Sequence, residues 1–206
     1  MNKKQLEFIK ARSKSWHLLE GNYEDLRDTC FKLANPTEKY SLDGRIWIMH
    51  EDEYILMLSA ERKFHNFLSS AKSLVDHSRV LMKNYSEAEP FTAFEERRNK
   101  IGRSPIVKLC HDLRNYFLHQ KNPTDNYFTH QTWYEEENII ISRGYVRISK
   151  ESLSKYSNWS KESEQIIALL ENPLDIWELA KEYYDEISEF NSWVNSEFSA
   201  FLEKTY

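Results

Sequence analysis

The residues with the clearest chemical potential lie between 111 and 119, where the chain runs His-Asp-Leu-Arg-Asn-Tyr-Phe-Leu-His. On an α-helix, His111, Asn115 and His119 stand four residues apart and share one face, with Arg114 beside it. Histidine titrates near neutral pH and can donate or accept a proton. A guanidinium donates two parallel hydrogen bonds to phosphate oxygens. The set therefore predicts acid–base chemistry at a phosphate group.

The segment around these residues is strongly basic, although the whole chain is acidic. Between positions 97 and 121 there are seven basic residues and one acid, Asp112, whereas the 206-residue chain has a formal net charge of -5. A local excess of positive charge of this kind is typical of a phosphate-binding face. The candidate phosphate contacts are His111, Arg103, Lys108 and Lys121. Tyr116, beside the motif, is a candidate for stacking on a base.

The six residues from Arg114 to His119 resemble the signature of the HEPN superfamily, an Arg followed by a polar residue and, some positions later, by a His. The resemblance implies a helical RNA endonuclease that needs no metal or cofactor and uses the 2'-OH of the RNA as nucleophile. In this scheme Arg114 clamps the transition state, Asn115 orients His119, and His119 is the general acid/base. The resemblance also implies a homodimer with a composite cleft. It further implies a role as a toxin or antiphage effector, with an antitoxin or defence-system partner.

The Arg–His spacing alone is not distinctive, because two other pairs in the chain repeat it. These pairs are Arg12 with His17 and Arg45 with His50. The first pair lacks basic surroundings, and in the second an apolar residue follows the Arg. Only Arg114 combines a following Asn, basic surroundings and a helix start at Ser104-Pro105. We therefore expect the functional motif at Arg114.

Helical periodicity dominates the chain outside one segment. Apolar residues at three- and four-residue steps predict helices at about 3–34 (jogged near Gly21-Asn22), 47–84, 91–100, 105–121, 160–170 and from Asn172-Pro173 onward, with a connector at 35–45. β-Branched and aromatic residues predict a hairpin or three-stranded meander at about 127–149, with turns near 135–138 and 143–144. The predicted fold is all-α. It is a single HEPN-like domain over 1–206, an up-and-down helical bundle with a small β insertion at about 127–149.

Composition argues against several other classes of protein. The chain has only 4 Gly, which disfavours a glycine-rich phosphate loop, and its Cys30 and Cys110 suggest no disulfide framework. Neither the spacing of its Cys and His residues nor any other motif predicts a metal site or a cofactor. No apolar run is long enough for a membrane span, and the N-terminus has no signal-type segment. We therefore expect a soluble, cytoplasmic protein that does not bind membranes.

Plainer interpretations of the same residues stay open at this point. His111 could bond a carbonyl, Arg114 and Asp112 could form surface ion pairs, and Tyr116 could pack in the core. The basic residues from 97 to 108 could be an ordinary solvated face. At the level of function, one alternative is a non-catalytic RNA-binding or partner-binding module of the same architecture. Another is a nucleotide-binding partner of a separate transferase, with the Arg–His site as a modification target or antitoxin interface.

Overall fold

The computed structural model describes residues 3–83, 89–119 and 127–205, so the candidate Lys121 lies outside the described residues. The helices are α1 (Lys3–Ala34), α2 (Glu53–Lys83), α3 (Glu89–Ile101), α4 (Pro105–His119), α5 (Lys150–Ser154), α6 (Lys161–Leu169) and α7 (Ile176–Thr205). The strands are β1 (Glu38–Leu42), β2 (Arg45–Met49), β3 (Tyr127–Tyr134), β4 (Ile139–Ile148) and β5 (Leu174–Asp175).

The predicted all-α fold is wrong, because the described strands join in one mixed sheet and make the protein an α/β fold. The order across the sheet is β1-β2-β4-β3, and β5 pairs with the far end of β4. Strands β2 and β4 are parallel, with Ile48 opposite Ile141, whereas the other pairs are antiparallel. The β segment is therefore not an isolated insertion, since it pairs with residues almost a hundred positions earlier in the chain.

Strands β1 and β2 correct the expectation of a connector at 35–45 and of a helix that begins at 47. They form a hairpin closed by Asp43 and Gly44, whose φ angles are 51° and 74°. Two positive φ angles define a type I′ turn, and Asp-Gly is a favoured sequence for it. The helix follows only from Glu53. Asn138 then ties this hairpin to the next one, because its side-chain amide donates to the carbonyl of Gly44 at 2.8 Å.

The hairpin expected at about 127–149 is confirmed as β3 and β4, but the predicted turn at Arg143-Gly144 is wrong. Strand β4 runs straight through these residues to Ile148. A Cβ at Gly144 would lie 2.9 Å from the carboxylate of Glu53 and 3.0 Å from Leu33. The glycine therefore serves close packing of the strand against α1 and α2 rather than a change of chain direction.

Six of the seven helices that the structure describes, all except α5, lie where the sequence predicts a helix for most of their length. Helix α1 is continuous across Gly21, and α4 begins at Pro105 as expected. The last helix begins at Ile176 instead of near Pro173, because residues 174 and 175 pair with β4. Helix α5 is an addition to the predicted set. Within the described parts of the chain, no helix combines the length and apolar character needed to cross a membrane.

The core lies between α1, α2, α4 and α7 and extends to one face of the sheet. Its largest fully buried side chains include Phe64, Phe67, Leu19, Leu26 and Leu109. Alternate residues of β4, from Ile140 to Ile148, are buried on the helix side, and the intervening residues face away from the helices. The apolar face of α4 is thus fixed by packing while its opposite face stays at the surface.

Candidate functional site

Helix α4 is held in place by its apolar face and by one carboxylate. The buried apolar residues are Leu109, Cys110 and Leu113. Asp112 accepts hydrogen bonds from the backbone N–H of Ser160 at 2.9 Å and from the hydroxyl of Ser163 at 2.7 Å, both at the start of α6. Burial raises the pKa of Asp112, but these hydrogen bonds outweigh it and hold the pKa below its usual value. Asp112 therefore anchors α4 and is not set up as an ion-pair partner of Arg114.

The opposite face of α4 carries most of the residues expected to contact RNA. His111 and His119 are exposed, and Lys108 and Asn115 are half-buried. Arg103, in the loop before the helix, is exposed as well. The polar strip predicted from the spacing therefore runs along the surface of a helix whose other face is packed in the core.

Arg114 lies beside this strip, on the flank of α4 that faces α2. Positions i and i+5 of an α-helix point about 140° apart, so Arg114 and His119 of one chain do not converge on a single point. Arg114 is half-buried, and its Nε is buried without a hydrogen-bond partner among the residues that the structure describes. One terminal nitrogen lies 3.5 Å from Oδ1 of Asn115, a long contact. The guanidinium therefore keeps unused hydrogen-bonding capacity.

His65 on α2 lies within electrostatic reach of Arg114. Burial lowers the pKa of His65, and the positive charge of Arg114 lowers it further. The Nε2 atom of His65 is buried and has no hydrogen-bond partner in the described parts of the chain, and its ring meets that of Phe117 edge-on, with the centroids 6.2 Å apart. Sequence patterns do not single out His65, because it stands between Phe64 and Phe67 in a stretch that otherwise indicates only a packed helix.

His111, like His65, has a pKa below its ordinary value. Partial burial of its ring lowers its pKa, and the charges of Lys72, Arg114 and Lys108 lower it further, while Asp112 acts in the opposite direction. Lys72 is on α2, so the charges around His111 come from both helices. A neutral imidazole at physiological pH can accept a proton, which is what a general base must do.

Part of the positive charge of the basic segment at 97–121 is neutralised by ion pairs with acidic residues. Arg97 forms an ion pair with Glu189 on α7, and Arg98 forms one with Glu95 at 2.7 Å within α3. The expectation that the whole segment presents its positive charge is therefore wrong for these two arginines, since acids outside or beside the segment neutralise them. The basic residues of the segment that the structure describes outside these two ion pairs are Lys100, Arg103, Lys108 and Arg114.

Tyr116 belongs to the core and not to the exposed strip. It is 5% exposed, and its ring stacks on Trp159 with the centroids 5.7 Å apart. The rings of Tyr156 and Phe117 meet it edge-on. No face of the Tyr116 ring is left for a base, so the expectation that it stacks on RNA is wrong and the core interpretation holds.

Arg12, the first of the other Arg–His pairs, has a structural role. It is 6% exposed and hydrogen-bonds Ser78 on α2 and Asn191 and Asn195 on α7. Burial lowers the pKa of Arg12 to about 10. Its companion His17 points to solvent beside Glu20. The two residues of this pair therefore lie in different environments and form no site.

Arg45 and His50, the other pair, also stabilise the fold. The guanidinium of Arg45 lies 5.3 Å from the ring centre of Trp133 across the sheet. His50 is buried, and its Nε2 lies 2.7 Å from the carbonyl oxygen of Lys32 at the end of α1. This hydrogen bond ties the end of the first hairpin to α1. Neither residue faces α4.

Comparison of the chain with protein-family models, curated proteins and solved structures finds no match. Among the residues that the structure describes, no group of three or more His, Cys, Asp or Glu is placed to hold a metal ion. Helices α4 and α2 carry the residues from which a function can be inferred.

Proposed function

We propose that the protein is a metal-independent RNA endonuclease whose site is the polar strip of α4 with Arg114. The observation that carries the proposal is the position of Arg114 near two imidazoles, His65 and His111. The positive charge of Arg114 helps to lower the pKa of both histidines, and its own buried Nε has hydrogen-bonding capacity to spare. A fixed cation beside neutral imidazoles provides charge stabilisation and a proton acceptor in the same place.

The chemistry needs one base, one acid and one cation. A neutral imidazole, best supplied by His111, takes the proton of the 2'-OH, and the 2'-oxygen attacks the adjacent phosphorus. The P–O5' bond breaks, and the leaving 5'-oxygen receives a proton from His119 of a second copy of the chain, because His111 and His119 of one helix lie about 12 Å apart along its axis. Arg114 stabilises the negative charge on the phosphoryl oxygens in the transition state. The products are a 2',3'-cyclic phosphate and a 5'-hydroxyl end. Asn115 orients His119 or the phosphate, and Arg103 and Lys108 contact neighbouring phosphates.

Two copies of the chain suit this chemistry better than one. Arg114 and His119 diverge by about 140° on the same helix, so a single helix cannot bring both to one phosphate. Two α4 helices related by a two-fold axis can do so, because Arg114 of each chain then stands opposite the strip of the other. We therefore infer a homodimer with a shared cleft. Toxin or antiphage activity in the cytoplasm, with a neutralising partner, is the biological setting that this proposal favours.

Cleavage of a labelled RNA tests the proposal. The wild-type protein should cut it in the presence of EDTA and leave cyclic phosphate ends. An RNA with a 2'-deoxy sugar at the cleavage site should resist. Arg114→Ala and His119→Ala should abolish cleavage while His17→Ala, an exposed histidine with the same Arg–His spacing, should retain it. Equal cleavage by His119→Ala and wild type would contradict the proposal.

A non-catalytic RNA-binding module is the second candidate. The divergence of Arg114 and His119 within one chain favours it if the chain acts alone, because binding needs only a surface with positive charge and hydrogen-bond donors. In that case the wild-type protein would bind RNA, the affinity would fall in Arg114→Ala, and no product would form from any RNA tested.

A further inference from the structure

The face of the sheet that points away from the helices is a second surface of distinctive composition. On β4, the residues from Ile140 to Ile148 that alternate inward are buried, and the atoms nearest Gly144 belong to α1 and α2. The other alternate residues of β4 and their neighbours on β1, β2 and β3 therefore point outward. We call this surface the outer sheet face. Its members are Lys39, Ser41, Ile46, Ile48, Phe128, His130, Thr132, Tyr134, Ile139, Ile141, Arg143, Tyr145 and Arg147.

Within the described strands, the outer sheet face carries a single acid, Asp175 on β5 opposite Arg147, and is open to solvent. No acidic residue occurs among its members on the other four described strands, although Asp and Glu make up 33 of the 206 residues of the chain. None of its members is buried, and Tyr134 and Ile46 are 41% and 42% exposed. At its margin, Asp175 on β5 pairs with Arg147 at 3.2 Å and neutralises that one cation. Lys39 and Arg143 remain as cations on this face.

Aromatic rings and cations alternate along one half of this face. Phe128 on β3 is the cross-strand partner of Tyr145 on β4, and the next pair outward is His130 with Arg143. The guanidinium of Arg147 lies 4.8 Å from the ring centre of Tyr145 but is paired with Asp175, so Arg143 supplies the positive charge beside these rings. Rings beside positive charges on a flat sheet suit unpaired bases, which stack on the rings while their phosphates approach the cations.

We propose that the outer sheet face binds single-stranded RNA through stacking on Phe128 and Tyr145 and through phosphate contacts with Arg143 and Lys39. The choice of RNA rests on the proposed function, and the location of the surface does not. Charge complementarity separates this occupant from a second copy of the chain. A two-fold contact between two outer sheet faces would bring together two surfaces that each carry an excess of positive charge, and such like-charge contacts are unfavourable.

Fluorescence anisotropy with a labelled single-stranded RNA, and with a duplex of the same length, tests the proposal on the full-length protein. The single strand should bind more tightly. Tyr145→Ala should weaken its binding by about tenfold, the typical loss of one stacked base. Arg143→Gln should weaken it as well and reduce the slope of log K against log salt by about 0.7, the loss of one phosphate contact. Tyr145→Thr, which keeps a strand-forming residue, guards against a folding defect.

Two exposed helix residues outside the outer sheet face provide matched controls. Phe31→Ala on α1, where the side chain is 69% exposed, and Arg62→Ala on α2 should bind RNA like wild type. Wild-type affinity in folded Tyr145→Thr and Arg143→Gln proteins would overturn the proposal, as would equal affinity for duplex and single strand. So would a wild-type dimer that Ile48→Lys converts to a monomer in sedimentation, since a second copy would then occupy this face.

The experiments distinguish failure of the proposed catalytic site on α4 from failure of the proposed RNA-binding surface on the sheet. The sheet variants keep Arg114 and His119, so a saturating RNA concentration should restore their cleavage rate if the α4 site is catalytic. Cleavage that persists in His119→Ala contradicts the α4 site and leaves the sheet surface intact. Unchanged binding in the sheet variants contradicts the sheet surface and leaves the α4 site intact.

Discussion

His65 on α2 and Arg114 on α4 lie close enough for the guanidinium to lower the pKa of the imidazole, and each residue has a buried nitrogen without a hydrogen-bond partner within the described ranges. Two elements that are distant in sequence thus meet at the flank of the proposed site. The arrangement places a cation and a neutral imidazole side by side, which is uncommon unless a ligand or a packing constraint requires it.

Replacing Arg114 should change the titration of His65. Arg114→Gln removes one of the two causes that lower the pKa of His65, so that pKa should rise toward the ordinary value while burial still holds it down. NMR titration of the histidine ring protons measures this shift. Arg62→Gln, which removes an exposed cation from α2, should leave the pKa of His65 where it is. A pKa of His65 that does not move in Arg114→Gln would show that the two groups do not interact.

The unfolding free energy should fall as the pH drops below about 6.5, the value for an unfolded histidine. His65 and His111 have lowered pKa values in the folded protein, so the unfolded chain binds protons there that the folded chain does not. Stability is therefore lost as the pH falls from about 6.5 through the folded pKa values. Urea unfolding from pH 7.5 to 5 measures the slope. His65→Gln should make the slope shallower, and an identical slope would contradict the assignment to His65.

Loss of the Asp112 anchor should destabilise the fold. Asp112→Ala leaves the N–H of Ser160 and the hydroxyl of Ser163 without their acceptor, which should cost about 1–3 kcal/mol. Urea unfolding at pH 7 measures the loss. Asp28→Ala removes only an exposed ion pair with Arg27, and such pairs contribute about 0–1 kcal/mol. Equal stability of the two variants would contradict the anchoring role.

Substitution by alanine should lower the stability of the protein at Gly144 and raise it at Gly21. Gly144→Ala forces a Cβ against Glu53 and Leu33, and overpacking of this kind costs about 1–3 kcal/mol. Gly21→Ala meets no atom within 4 Å inside a helix and should stabilise it by about 0.5–1 kcal/mol. Thermal unfolding distinguishes the two, and a tolerated Gly144→Ala would show that β4 does not pack closely on α1 and α2.

The helices of this protein can be predicted from its sequence, because their apolar residues recur at helical spacing over long stretches. The same periodicity hides β2, whose Ile-Trp-Ile-Met run merges with the pattern of α2. The Asp43-Gly44 signal for a hairpin was present but stood in a segment that resembled a connector. The parallel pairing of β2 with β4 has no local signal, because it joins residues almost a hundred positions apart.

Some features of the candidate site depend on spacing within one helix and can be predicted from the sequence, whereas others depend on packing between elements and cannot. The strip of His111, Asn115 and His119 depends on spacing within one helix, and it is found at the surface as expected. The contribution of His65 depends on how α2 packs against α4, and the burial of Tyr116 depends on Trp159 from a distant loop. Such contacts between elements cannot be derived from the pattern of either element alone.

The most direct test of the central claim is the rate at which purified protein cleaves RNA in EDTA. Wild type and His17→Ala should release fragments that end in a 2',3'-cyclic phosphate, and Arg114→Ala and His119→Ala, shown to be folded by circular dichroism, should release none. An unchanged rate in either of the last two variants, or fragments without the cyclic phosphate, would contradict the assignment of ribonuclease chemistry to α4.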